Sequence, residues 1–186
     1  MRYKHYGISV LLLLAGLLPC TLSAQTSAGR DFWVMFVENK GDQTQDVLFL
    51  QASAASASTV TVTHPATNWN ASKSLGAGSI DTIVLPNSIA IPSTSGTVAN
   101  NAFHVTATDD VNLYAYWCDL ASAGVTMVVP TQFLDTQYIA QTWPGEVSRN
   151  LSGAEVGILS TQDNTVITMT LPVSVTGRTE PAGSTL

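Results

Sequence analysis

Apolar and polar residues alternate along most of this chain with a period of two. Residues 59–63 alternate strictly, Val60 and Val62 against Thr59, Thr61 and Thr63. Successive side chains of a strand point to opposite faces, so this pattern predicts a half-buried strand. Residues 103–108 repeat it, with Phe103, Val105 and Ala107 set against His104, Thr106 and Thr108; the pair Asp109-Asp110 then predicts a turn. Beyond that turn, Val111, Leu113, Ala115 and Trp117 share one face, and Asn112, Tyr114, Tyr116 and Cys118 the other. The continuous apolar runs at 32–37 and 47–50 predict strands buried on both faces. Further strands are expected at 80–85, after the turn Gly76-Ala77-Gly78, and at 125–129, 138–143, 155–160 and 165–171. The turn Gln162-Asp163-Asn164 joins the last two into a hairpin. No long stretch has a helical period. The fold class predicted is all-β: an antiparallel β-sandwich, or tandem sandwich-like units. Residues 92–101 form the one long polar loop.

The amino terminus departs from this pattern. Arg2 and Lys4 precede an apolar run over 8–18, and Leu22-Ser23-Ala24 precedes Gln25. A basic start, a short apolar middle and a small residue at the cut predict a secretory signal over 1–24. The run is too short for a spanning helix of about 20 residues. Cys20 as a lipid-bearing cysteine lacks the small residue expected before it, since Leu17-Leu18-Pro19 stands there. The mature domain expected is 25–186, secreted or at the cell surface, with no transmembrane segment after cleavage.

Charge and cysteine content narrow the class. All 13 acids lie beyond the leader, but only Arg30, Lys40, Lys73, Arg149 and Arg178 of the bases, for a mature net charge of −8. Binding to a phosphate backbone needs a stripe of Lys and Arg, so nucleic acid is excluded as a partner. Cys118 is the one mature cysteine, which rules out an intrachain disulfide and hints at a thiol buried in a strand. Stability must then come from the core and its ladders.

No constellation in the sequence predicts catalysis. Cys118, His104 and Asp119 are the residue types of a nucleophilic triad, but His104 and Cys118 fall on separate predicted strands. A buried thiol and a strand-face imidazole explain them better. There is no Gly-x-Ser-x-Gly elbow. His64 and His104 do not have zinc-ligand spacing. Asp109, Asp110, Asp119 and Asp163 lack a calcium-loop pattern, and turn capping accounts for them. No metal or cofactor is expected. Trp69, Tyr114, Tyr116 and Trp143 are candidates for stacking on sugars, against the alternative that these rings fill the core. Asn70-Ala71-Ser72 and Asn150-Leu151-Ser152 match the N-glycosylation pattern, which matters only for a eukaryotic source.

An ordered series of motifs carries a family resemblance. It begins at Gly29-Arg30-Asp31-Phe32-Trp33 and passes through Val47-Leu48-Phe49-Leu50 and Ser58-Thr59-Val60-Thr61-Val62-Thr63. It continues through 103–116, through Val129-Pro130-Thr131-Gln132-Phe133, and through 155–167. In this order the chain, from about Gly29 to Leu186, resembles the IgG Fc-binding protein N-terminal domain family, widespread in Bacteroidetes-type secreted and surface proteins. Asp109-Asp110 departs from it, since relatives more often carry a Lys-Pro-like pair there. The resemblance implies a non-catalytic module of a larger surface protein, often followed by neighbouring β-domains. Family domains run on well beyond this length, which implies a chain cut short at its carboxyl end. It brings no residue motif for immunoglobulin binding.

The function expected is a non-catalytic binding or adhesion module for an extracellular protein or glycan. The alternatives are a structural spacer or assembly module and, last, a carbohydrate-active hydrolase, which needs two acids in one cleft. Polar loops at the sandwich ends are the expected binding surfaces. Trp143, Glu146 and Arg149, a ring and two charges in one loop, are the expected ligand-binding residues.

Overall fold

A computed structural model describes residues 27–37, 46–91, 98–119, 123–141 and 156–171. Seven antiparallel strands form one sheet. They are β1 (Gly29–Val34), β2 (Val47–Ala54), β3 (Ser58–His64), β4 (Trp69–Leu75), β5 (Ser79–Leu85), β6 (Phe103–Cys118) and β7 (Ala123–Val128). A one-turn helix, α1 (Asn87–Ala90), follows β5.

The registers resolve the sheet into four long ribbons, each creased at the same level. β6 is the central ribbon: its first half pairs with β3 on one edge and β1 on the other, its second half with β2 and β7. β2 and β3 run end to end along β6, and β5 and β4 run end to end along them. One half-sheet is therefore β4-β3-β6-β1, and the other β5-β2-β6-β7. Their inward side chains meet in one buried cluster, so the sheet folds over into a nearly closed, barrel-like shape. The fold is all-β and antiparallel, as the alternation predicts.

Two of the ribbons bend by distinct devices. The β4–β5 ribbon turns at Gly76-Ala77-Gly78, where Gly78 takes φ 70° and its N–H donates to the Ala54 carbonyl at 2.8 Å. A side chain would strain that left-handed backbone; glycine does not. β6 bends where a turn was expected. Asp109-Asp110 lies inside the continuous strand, because other groups satisfy the backbone that the crease pulls out of register. Ser58 Oγ donates to the Asp109 carbonyl at 3.0 Å and accepts from the Asp109 N–H at 3.0 Å. The Thr59 N–H donates to Thr108 Oγ1 at 2.9 Å. Two hydroxyls replace the missing ladder bonds, so the chain has no need to reverse.

Inward parity matches the sequence pattern in β3 and β6. Val60, Val62, Phe103, Val105, Val111 and Leu113 are all fully buried. The runs 32–37 and 47–50 behave differently from expectation. Both alternate, with Phe32, Val34 and Phe36 inward and Trp33 and Met35 outward. Trp33 stacks on His104 and Phe49 on Tyr116 on the outer surface, while Val37 and Val47 are exposed.

Four further segments differ from expectation. β4 was not expected, since its alternating Asn70, Ser72 and Ser74 carry no apolar signal; it exists because β3 offers it a full ladder. The described parts of 138–143, 155–160 and 165–171 hold no strand, only a turn at 161–164 and an isolated bridge at Thr170. β-Branched composition makes a segment competent for a sheet, but a partner makes it a strand.

Candidate functional site

The crease gives the molecule two outer faces of opposite character. The first lies over β4, β3, the first half of β6, and β1. Its cross-strand rows read Asn70–Thr63–His104–Trp33 and Ser72–Thr61–Thr106–Asp31. Thr61 Oγ1 and Ser72 Oγ share a hydrogen bond of 3.0 Å, and Thr59 Oγ1 and Ser74 Oγ one of 3.3 Å. This is a hydroxyl-covered surface.

At its β1 end sits a polar clasp. Trp33 stacks on His104 with centroids 4.5 Å apart, and His104 Nε2 lies 2.7 Å from Asp31 Oδ2. Burial acts to raise the Asp31 pKa; the nearby Thr131 hydroxyl and the His104 bond outweigh it and lower the pKa below the ordinary value. The Thr131 hydroxyl is itself buried and short of regular hydrogen-bond geometry. Arg30 Nε donates to Asp110 Oδ1 at 2.8 Å, and Nη2 to Asp109 Oδ1 at 2.5 Å. Gly29 lies so close to Pro130 that an added Cβ would come within 2.6 Å of the proline ring. The Gly29-Arg30-Asp31-Phe32-Trp33 motif thus ties β1 to the crease of β6. Its roles are structural.

The second outer face lies over β5, β2, the second half of β6, and β7. One row runs Val84–Phe49–Tyr116–Val125, and the next Thr82–Gln51–Tyr114–Met127. Phe49 and Tyr116 stack at 4.6 Å with planes 8° apart, and Tyr116 Oη donates to Gln51 Oε1 at 3.3 Å. Val84 is 65 % exposed, Ile80 64 %, Val125 59 % and Met127 46 %. No outward position of β5, β2, β7 or of β6 from Asn112 onward carries a charge. In a chain of net charge −6 at pH 7, an uncharged, aromatic-centred surface across four strands is the feature most in need of a partner.

The other candidates scatter. Trp143, Glu146 and Arg149 lie outside the described residues, as do the expected leader and Cys20. Trp69 is partly buried, lies nearly perpendicular to Phe103 with centroids 5.7 Å apart and packs against the core. Tyr114 and Tyr116 are on the apolar outer face. His104 and Cys118 stand at opposite ends of the same strand, not on separate strands, and cannot act together. Cys118 is partly exposed rather than buried. Asp109 and Asp110 are held by Arg30 on an open surface and form no cleft. Among the described residues no group of three or more His, Cys, Asp or Glu could hold a metal. No helix among them is long and apolar enough to cross a membrane.

Among the described residues His64 is the one buried imidazole, 2 % exposed. Its Nδ1 pairs with Thr67 Oγ1 at 3.0 Å and its ring tilts against Phe103 at 5.0 Å. Burial lowers its pKa, with the Ile89 carbonyl acting weakly in the opposite sense, short of regular hydrogen-bond geometry with Nε2. It braces the β3–β4 turn.

Sequence reasoning missed Phe49, Val84, Val125 and Met127 as surface residues. The signal was present in the outward parity of 112–118, where Asn112, Tyr114, Tyr116 and Cys118 include no charge. Only the strand order shows that three other strands share that character.

Comparison with known proteins adds one match. Residues 124–186 match the IgGFc binding protein family. This is the family that the ordered motifs resemble. The matched segment opens on β7, at the margin of the apolar face, and leaves β1 to β6 outside it. It is a binding family and not an enzyme family. No curated protein and no solved structure matches the chain.

Proposed function

We propose that this chain is a secreted, non-catalytic binding module that takes a protein partner on the apolar outer face of β5, β2, β6 and β7. The carrying observation is the Val84–Phe49–Tyr116–Val125 row, a stacked aromatic pair flanked by exposed aliphatics with no charge around it. A rigid aromatic centre with a rim of smaller side chains suits a protein surface, which supplies apolar area to match. The threonine- and serine-covered face has its hydroxyls satisfied within the sheet and offers less to such a partner.

The family description makes the immunoglobulin Fc fragment the first ligand to try, beside a panel of extracellular matrix proteins and a glycan array. Immobilised full-length chain should capture a protein from this panel. Val84→Lys should weaken that capture at least tenfold, while Thr61→Lys on the hydroxyl face should leave it unchanged. Equal loss in both variants, or capture of glycans alone, would overturn the assignment.

A further inference from the structure

The two lateral edges of the sheet are treated differently. On the β4–β5 side, Lys73 Nζ and Asp81 Oδ2 form an ion pair of 3.1 Å across the crease. Charges on an edge strand discourage another strand from adding there. On the other side, β7 reads Ala123-Gly124-Val125-Thr126-Met127-Val128, without a charge or a proline. One edge of β7 pairs with β6, and among the described residues no strand pairs with its other edge. Val125 and Met127 are exposed on it. An uncharged, β-branched edge with no strand partner among the described residues is a template for strand addition.

We infer that β7 is a self-association edge, on which the β7 strand of a second copy of this chain adds in antiparallel register. Antiparallel pairing of a strand with itself is two-fold symmetric, so one edge satisfies both copies at once. Pairing centred on a residue keeps outward positions opposite outward positions; pairing centred between residues would set inward against outward. Centring on Thr126 opposes Val125 to Met127 of the second copy, which covers the two exposed apolar side chains of this edge. The apolar rows of the two copies then become continuous: Val84–Phe49–Tyr116–Val125 runs on into Met127–Tyr114–Gln51–Thr82 of the other molecule. The guarded edges, with Lys73 and Asp81, lie at the far ends of the doubled sheet.

A contact one strand long buries less than the ~1,200 Å² of a stable standard-size interface. The dimer should therefore be weak and dependent on concentration, and should strengthen when copies are held close together. It should not weaken with added salt, because no charge takes part. The inference shares Val125 with the protein-binding face, and Val84→Lys on β5 tests that reading separately.

Sedimentation equilibrium of the full chain over micromolar to millimolar concentrations tests the inference. A reversible monomer–dimer equilibrium is expected. Val125→Lys should weaken it at least tenfold, since it sets a lysine against Met127 of the other copy. The double variant Val125→Lys, Met127→Glu should restore it at low salt, because each lysine then faces a glutamate. Both substitutions are outward and exposed, and a thermal unfolding curve checks that each variant is folded. A chain that stays monomeric, or a dimer indifferent to both variants, would overturn the inference. So would β7 amides protected from hydrogen exchange on both edges in the monomer, which would mean that the chain covers this edge itself.

Discussion

The two outer faces are made by the same four ribbons, on the same side of the same sheet, and differ only in which half of each ribbon lies beneath them. Over β3 and β4, outward positions are Thr59, Thr61, Thr63, Ser72 and Ser74. Over β2, β5 and β7 they include Phe49, Ile80, Val84, Val125 and Met127. Both halves give an inward apolar face to one core. Stability therefore does not explain the difference. The hydroxyl face closes its polar groups on each other and can stay in water, while the apolar face leaves side chains exposed that water does not favour. Each face also holds one stacked ring pair, Trp33–His104 and Phe49–Tyr116. The first is joined to Asp31 and locks β1; the second is flanked by exposed aliphatics.

The largest effect should come from what the two halves share. Phe103 is fully buried, and touches His64 and Trp69. Phe103→Ala should cost about 3–5 kcal/mol, read from urea unfolding, and should weaken both halves together. If two separate transitions appeared, the single core would be the wrong description.

Next in size is the Phe49–Tyr116 stack. A double-mutant cycle of Phe49→Ala and Tyr116→Ala should return a coupling of about 0.5–1.5 kcal/mol. Either single variant should lose protein capture while the domain stays folded. Retained capture would move the binding surface off this face.

Acid should separate the interior from the hydroxyl face. His64 is held neutral by burial, with its pKa below the ordinary value of 6.5, so its contribution is complete above that value and is lost as pH falls below it. Asp31 is held charged, with its pKa below the ordinary value of 3.8, so its contribution persists to lower pH and is lost as pH falls below that point. Urea midpoints followed from pH 8 downward, about the range where His titrates, should first decline below ~6.5. His64→Gln should remove that first decline and leave the later one.

The smallest effect should be that of Arg30→Ala. The guanidinium and both carboxylates that it meets are exposed, and exposed ion pairs contribute little. The unfolding midpoint should not move measurably. A clear loss would show that Arg30 holds the crease, which would give the hydroxyl face a larger structural role than its hydrogen bonds suggest.

Much of the fold can be read directly along the chain. Period-two patterning places Val60, Val62, Phe103, Val105, Val111, Leu113 and Ala115 on the inward side, and all of them are there. Asp109-Asp110 misled because local turn preference is weak compared with four satisfied ladders; Ser58 and Thr59 come from distant sequence to hold that stretch in a strand. β4 could not be seen, since its signal lies in its neighbour. The segments 156–160 and 165–169 carry strong β composition and no strand, for want of a partner among the described residues. The candidate face was half visible: Tyr114 and Tyr116 are plainly outward from alternation alone. Phe49, Val84 and Val125 join them only through registers that connect residues 49, 84, 116 and 125.

The sequence by itself determined the class, because a two-residue period commits side chains to faces before any strand has found its partner. It likewise determined the acidic balance, which depends on composition alone. Strand order, the common crease and the assembly of one apolar face from four separate segments were decided by tertiary structure. Those depend on which edges pair at what register, a choice made by the burial of the whole core and not by any one segment.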